Sequence, residues 1–256
     1  MYKSIRILIL LLILLGVALG AWREKTRSVA WKYTLPVNIY LINGDNSPAV
    51  TEYLRNLTLE DFQPIEAFMR NEAARYGRVD NASIEIKLGG IIATSPPEPP
   101  RDDSTLDAIG WSLRMRWWAY RNAKPAGSNS NPQVKMFLLY FDPARTKQLG
   151  HSTGLRKGLI GRVNVFASRD MAPQNNVVIA HEFLHTLGAT DHYDLATNQP
   201  LYPDGYAVPD LTPLLPQRYA EIMAVRIPVS HAEAVAPANL DEVLIGSKTA
   251  KEINWR

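Results

Sequence analysis

His181-Glu182-Phe183-Leu184-His185 sets two imidazoles four residues apart, with a carboxylate beside the first. On a helix each residue turns about 100°, so His185 lies about 40° and Glu182 about 100° from His181. Ala180, Phe183, Leu184 and Leu187 fall on the far side, between about 200° and 300°. The polar groups therefore project from one side while the other is apolar and can pack. Histidines one turn apart can each bring a nitrogen to about 2.0–2.1 Å from one Zn²⁺. A glutamate beside the first can reach a metal-bound water without being a ligand. That is the arrangement of metal-assisted hydrolysis, in which the ion lowers the pKa of the water and the carboxylate takes its proton.

Two histidines leave a catalytic zinc site one ligand short, because such sites hold three protein ligands and an open position. The chain continues Thr186-Leu187-Gly188-Ala189-Thr190-Asp191-His192-Tyr193-Asp194. Gly188 suits a sharp turn at the helix end that carries the following residues back toward the metal. Asp191 and His192 both lie on that returning stretch. Asp194 reads as a solvated loop carboxylate.

HEFLHTLGATD, residues 181–191, resembles the metzincin zinc-peptidase signature HExxHxxGxxH with Asp in the last position. In that substitution it is similar to the snapalysin-like secreted proteases. The resemblance covers residues 134–225 and is closest at 181–191. It implies zinc ligands at His181, His185 and Asp191 and a general base at Glu182, with His192 as the rival third ligand. It implies an α+β, zincin-like fold: a mixed twisted sheet, an active-site helix and a C-terminal helix. It also implies a methionine in a tight turn beneath the metal, for which Met223 in Ala220-Glu221-Ile222-Met223-Ala224 is the candidate. An edge strand above the active-site helix would pair main chain to main chain with an extended substrate. The strand at 158–168, with Val163, Asn164 and Val165 at its middle, is the candidate for that edge. Tyr193, Tyr206 and Tyr219 are candidates for stabilising an oxyanion.

The expected activity is thus zinc-dependent endopeptidase action on a peptide or protein. Two alternatives stand beside it. A glutamate on a later helix (Glu221, Glu233 or Glu242) supplies the third ligand, as in other zincins. Or the chain is a membrane-anchored, non-catalytic zinc-binding scaffold, against which Glu182 argues, since a structural site needs no base.

The elements that position this stretch follow from periodicity and punctuation. Residues 31–42 read as a first strand, which Pro36 makes irregular or an edge. Thr58 followed by Asp61 resembles a helix start, with the helix running to Arg75. Residues 83–92 alternate and read as a strand, followed by a proline-rich loop at 95–104. A helix then carries Leu106, Ile109, Leu113, Trp117 and Tyr120 at spacings of 3, 4, 4 and 3, expected to face the core. Arg114, Arg116 and Arg121 fall mostly away from that face. Residues 125–132 are a turn-rich loop. VKMFLLYF, 134–141, is a buried central strand, and 158–168 alternates, broken by Gly161. The helix with the histidines runs from near Pro173 to Gly188. Asn239 is expected to cap a last helix with Leu240, Val243, Leu244 and Ala250 inward.

The chain has 256 residues, 28 Lys+Arg, 25 Asp+Glu and no cysteine. The absence of cysteine excludes disulfides, thiolate zinc sites, iron–sulfur clusters and a cysteine nucleophile. Six of the bases lie in the first 32 residues against Glu24 alone, and the remaining 224 residues carry 22 bases and 24 acids. The basic excess belongs to the N-terminus, so nucleic acid is not an expected partner. Residues 7–22 form a sixteen-residue uncharged run between Lys3, Arg6 and Arg23, Lys25, Arg27. That length lies between a secretory h-region and a full membrane span. Residues 1–22 are expected to be a signal peptide or an uncleaved membrane anchor. Residues 23–30 would be a linker and 31–256 a single peptidase domain, membrane-anchored or secreted and extracytoplasmic.

Overall fold

In this computed structural model, the described residues are 29–78, 83–100, 104–124, 134–155 and 159–256. The apolar run at 7–22 and the loop at 125–132 lie outside them, as does all but the end of the 23–30 linker. Among the described residues, no helix is long and apolar enough to cross a membrane.

Five strands form the central sheet: β1 (Leu35–Asn43), β2 (Ile84–Ile92), β3 (Val134–Phe141), β4 (Thr153–Leu155) and β5 (Ile160–Phe166), in the order β2-β1-β3-β5-β4. The first four in that order run parallel, and β4 pairs antiparallel with β5. Parallel strands are covered on both faces and read as continuous apolar runs; β3 does so. The architecture is α+β with a largely parallel sheet.

The pleat sorts β1 to two sides. Leu35, Val37, Ile39 and Leu41 join one apolar cluster, and Tyr40 and Ile42 join another. The first side receives helices α1 (Pro48–Arg55), α2 (Gln63–Arg75) and α4 (Ala172–Leu187). The second receives α3 (Thr105–Asn122).

Four expectations are corrected. β1 is irregular, its register with β2 shifting between Ile39 and Tyr40, but it is not an edge strand, since it pairs with both β2 and β3. Pro36 is accommodated because pairing with β3 begins one residue later, at Val37. Helix α1 is additional; Ser47 caps it by accepting from the Val50 N–H at 3.0 Å, with Pro48 in the first turn. Asn239 caps only a 3₁₀ turn, Leu240–Glu242. Val243–Leu244 then pairs with Ala220–Glu221, and helix α5 (Ser247–Glu252) begins only after Gly246. Leu240, Val243 and Ala250 are buried all the same. The fourth correction concerns α3. Its expected inward stripe faces outward, and Trp111, Met115 and Ala119 are buried instead.

Candidate metal centre

Helix α4 begins with Pro173 in its first turn and ends at Gly188, whose φ of 116° is a left-handed cap. The Gly188 and Ala189 N–H groups both return to the Leu184 carbonyl, at 3.0 and 3.1 Å. This hairpin in the backbone brings residue 191 back over the last turns of the helix. Asp191 Oδ1 lies 3.4 Å from His181 Nε2 and 3.1 Å from His185 Nε2. The two Nε2 atoms are 3.0 Å apart. Among the described residues, His181, His185 and Asp191 are the set whose ligand atoms converge enough, within 4.8 Å of one another, to hold a metal ion.

The outer nitrogens explain why the inner ones point together. His181 Nδ1 meets the Ile222 carbonyl at 3.0 Å, and His185 Nδ1 meets the Ala189 carbonyl at 2.9 Å. A carbonyl only accepts, so Nδ1 carries the proton and the Nε2 lone pair faces the site. Two such lone pairs and a carboxylate in van der Waals proximity repel unless a cation lies among them. The donor set therefore fits a divalent metal.

The charges respond to this crowding. Burial opposes ionisation of Asp191, but the adjacent His181 and His185 outweigh it and hold the carboxyl far below its usual range. Burial also opposes a charged His185, yet Asp191 and Glu182 raise its pKa overall. Glu182 is pushed up by burial, partly offset by the two histidines. Tyr193 is raised to about 12 by burial and by the nearby Asp191 and Glu182 charges.

Glu182 is buried, and its Oε2 has no hydrogen-bond partner among the described residues. An unpaired buried carboxylate oxygen is expensive and calls for a function. Glu182 itself lines a cleft of about 310 Å³ together with His151, Ser152, Thr153, Gly154, Tyr193 and Leu195 and the three converging donors.

Strand β4 forms one wall of that cleft. Gly154 packs so closely on α4 that a Cβ there would lie 2.7 Å from the Glu182 carbonyl oxygen and collide with the His185 side chain. β4 is also the sheet's edge. Strand β5 pairs with β3 along its length but with β4 only over Ile160–Arg162. Val163, Asn164 and Val165 lie beyond that pairing yet are buried, and the Asn164 N–H donates to Ser152 Oγ at 3.0 Å, so they do not form the exposed edge expected from the sequence. Three residues are too few to show a strand period, which hid β4. Of the three candidate tyrosines, the fold brings Tyr193 to the cleft. Tyr206 bridges to Ala220, and Tyr219 lines a different cavity.

His192 turns away from the ligands. It is buried, with Nδ1 3.3 Å from Glu221 Oε2 and Nε2 3.7 Å from Glu252 Oε2. Its backbone N–H donates to the Met223 carbonyl at 2.9 Å. Glu221 is not a ligand either: it accepts from Met223 N, Gly246 N and Thr249 Oγ1, at 2.7, 3.0 and 2.6 Å. Glu233 is exposed, and Glu242 accepts from the Ala238 N–H. Met223 is fully buried in a turn closed by the Ala224 and Val225 N–H groups on the Glu221 carbonyl. That turn meets His181 through the Ile222 carbonyl. Glu252, unremarkable in the sequence, accepts from the Thr190 N–H at 2.9 Å and hydroxyl at 2.7 Å, next to Asp191.

Comparison of the chain with known protein families and with curated proteins finds no match.

Proposed function

We propose that this chain is a zinc-dependent endopeptidase of the metzincin type, similar to the snapalysin-like proteases. The observation that carries the reading is the buried Glu182 carboxylate, one oxygen of which is unpaired among the described residues, lining the same cleft as the three converging donors. His181, His185 and Asp191 would hold the ion, whose hard and borderline donors suit zinc. When bound, zinc supplies Lewis acidity that makes water nucleophilic near neutral pH and polarises a carbonyl. Glu182 accepts the proton of the attacking water on its carboxylate and returns it to the leaving amine nitrogen. Tyr193, held protonated at neutral pH, is placed to donate a hydrogen bond to the developing oxyanion.

An extended peptide lies along the free edge of β4, main chain to main chain. The sheet order with its antiparallel edge beside the cleft supports this, as does the buried Met223 turn. The N-terminal run puts the peptidase on a membrane or in the secreted space.

The test pairs metal analysis with a peptide-library digest of the full chain. Wild type should hold one zinc and cleave. Glu182→Gln should hold zinc and not cleave. Asp191→Ala should lose both. Zinc without cleavage in wild type would instead favour the scaffold reading. Thr153→Pro, with zinc retained, should impair turnover if β4 seats the substrate.

A further inference from the structure

Helix α3 leaves an apolar stripe open to solvent. Leu106, Ile109, Leu113, Trp117 and Tyr120 are between 53% and 81% exposed, and the rings of Trp117 and Tyr120 stack 6.0 Å apart. Rotation of the helix cannot hide them. Its other side already packs Trp111, Met115, Trp118 and Ala119 on Tyr40, Ile42 and Phe137 of the sheet. A contiguous exposed patch of this kind marks an interaction surface.

Charge identifies the partner. Residues 104–124 hold Arg114, Arg116, Arg121 and Lys124 against Asp107 alone, whereas residues 33–256 as a whole carry 22 bases and 24 acids. At about 100° per residue, Arg114 and Arg121 flank the stripe on one side and Arg116 on the other. Aliphatic side chains on one face, a Trp–Tyr pair toward one end and arginines along the flanks compose an interfacial helix. Arginine stems can lie along the apolar face while their heads reach phosphates.

We propose that α3 docks on an anionic lipid bilayer, burying the Leu106–Tyr120 stripe at the head-group and acyl boundary. The uncharged run at 7–22, flanked by five bases, would contact the same phase. Two such signals together give stable attachment where one is marginal. This inference is independent of the peptidase reading.

The chain has no native cysteine, so single labels are clean. Leu106→Cys and Leu113→Cys are introduced singly into the full chain, with Glu52→Cys, exposed on α1, as the control. Each is nitroxide-labelled and reconstituted in vesicles of phosphatidylcholine with or without phosphatidylglycerol. Collisions with oxygen and with a water-soluble nickel chelate are read by power saturation. With phosphatidylglycerol, oxygen collisions should exceed nickel collisions at 106 and 113, and the reverse should hold at 52. Adding Arg114→Glu and Arg121→Glu should move 106 and 113 toward the aqueous pattern. The proposal is overturned by an aqueous pattern at 106 and 113 or by the same depth without phosphatidylglycerol. It is equally overturned by shielding from both reagents or by dipolar broadening, which would show protein covering the face.

Discussion

Two helices lie on opposite faces of one sheet and obey the same periodicity, yet they use it in opposite senses. Helix α4 turns Phe183, Leu184 and Leu187 into the core and presents His181, Glu182 and His185 to the cleft. Helix α3 turns its most regular apolar stripe outward and buries the neighbouring one. Periodicity says which residues share a face. Which face meets the sheet depends on what the sheet offers. Tyr40 and Phe137 stack at 5.1 Å and Trp118 meets Phe137 edge-on at 4.9 Å, so an aromatic floor selects the Trp111, Met115, Ala119 side. Beside that floor, the small Ala119 permits close approach.

The contrast can be tested, and the largest effect belongs to chemistry. Glu182→Gln on α4 is expected to lower peptide turnover by about 10²–10⁴-fold with zinc stoichiometry unchanged; turnover near wild type would remove Glu182 from the role of base. Stability comes next. Phe183→Ala should cost about 3–5 kcal/mol in urea unfolding, because it opens a cavity in the main core. Trp117→Ala, equally aromatic but outward on α3, should stay within about 0.5 kcal/mol. Similar losses at the two positions would mean that α3 packs the other way round.

Glu252→Ala tests support delivered from a distance. It leaves Thr190 without its two hydrogen bonds and Asp191 less well held, so zinc affinity should fall by about tenfold, read by competition with a chromogenic chelator. The smallest effect is a pH dependence. Burial pushes the Glu72 carboxyl above its usual range, partly offset by the Ile245 N–H and Arg75. The folded state therefore binds its proton more tightly than the unfolded state. That contribution favours folding at pH below the unfolded value, fades as pH rises toward the folded value, and is a full cost above it. Glu72→Gln should flatten that decline in Tm between acidic and neutral pH; an unaltered profile would show that Glu72 does not contribute.

The candidate donor set was legible in the sequence because it is local. His181, Glu182 and His185 share one helix, and Gly188 three residues on needs a backbone conformation that few other residues accept. The cap at Gly188, the strand at 134–141 and the start signal at Thr58 are short-range facts of the same kind. Less legible were features set by distant partners. His192 and Asp191 are neighbours in sequence, and spacing alone leaves them rivals. The structure separates them because the His192 ring is drawn into a buried pocket beside Glu221 and Glu252.

Strand order belongs to the same category. Whether β1 or β5 lies at an edge depends on which strands flank it, and nothing within β5 itself records that β4 pairs with its Ile160–Arg162 end. The Asn239 stretch, helical by pattern, became a strand because Ala220–Glu221 was there to pair with it. Residue type and near spacing, acting through backbone geometry, were enough to set the candidate donors and the carboxylate beside them. Their convergence, the wall that β4 builds beside them and the outward turn of α3 arose only when segments far apart in the chain competed for the same two faces of a sheet.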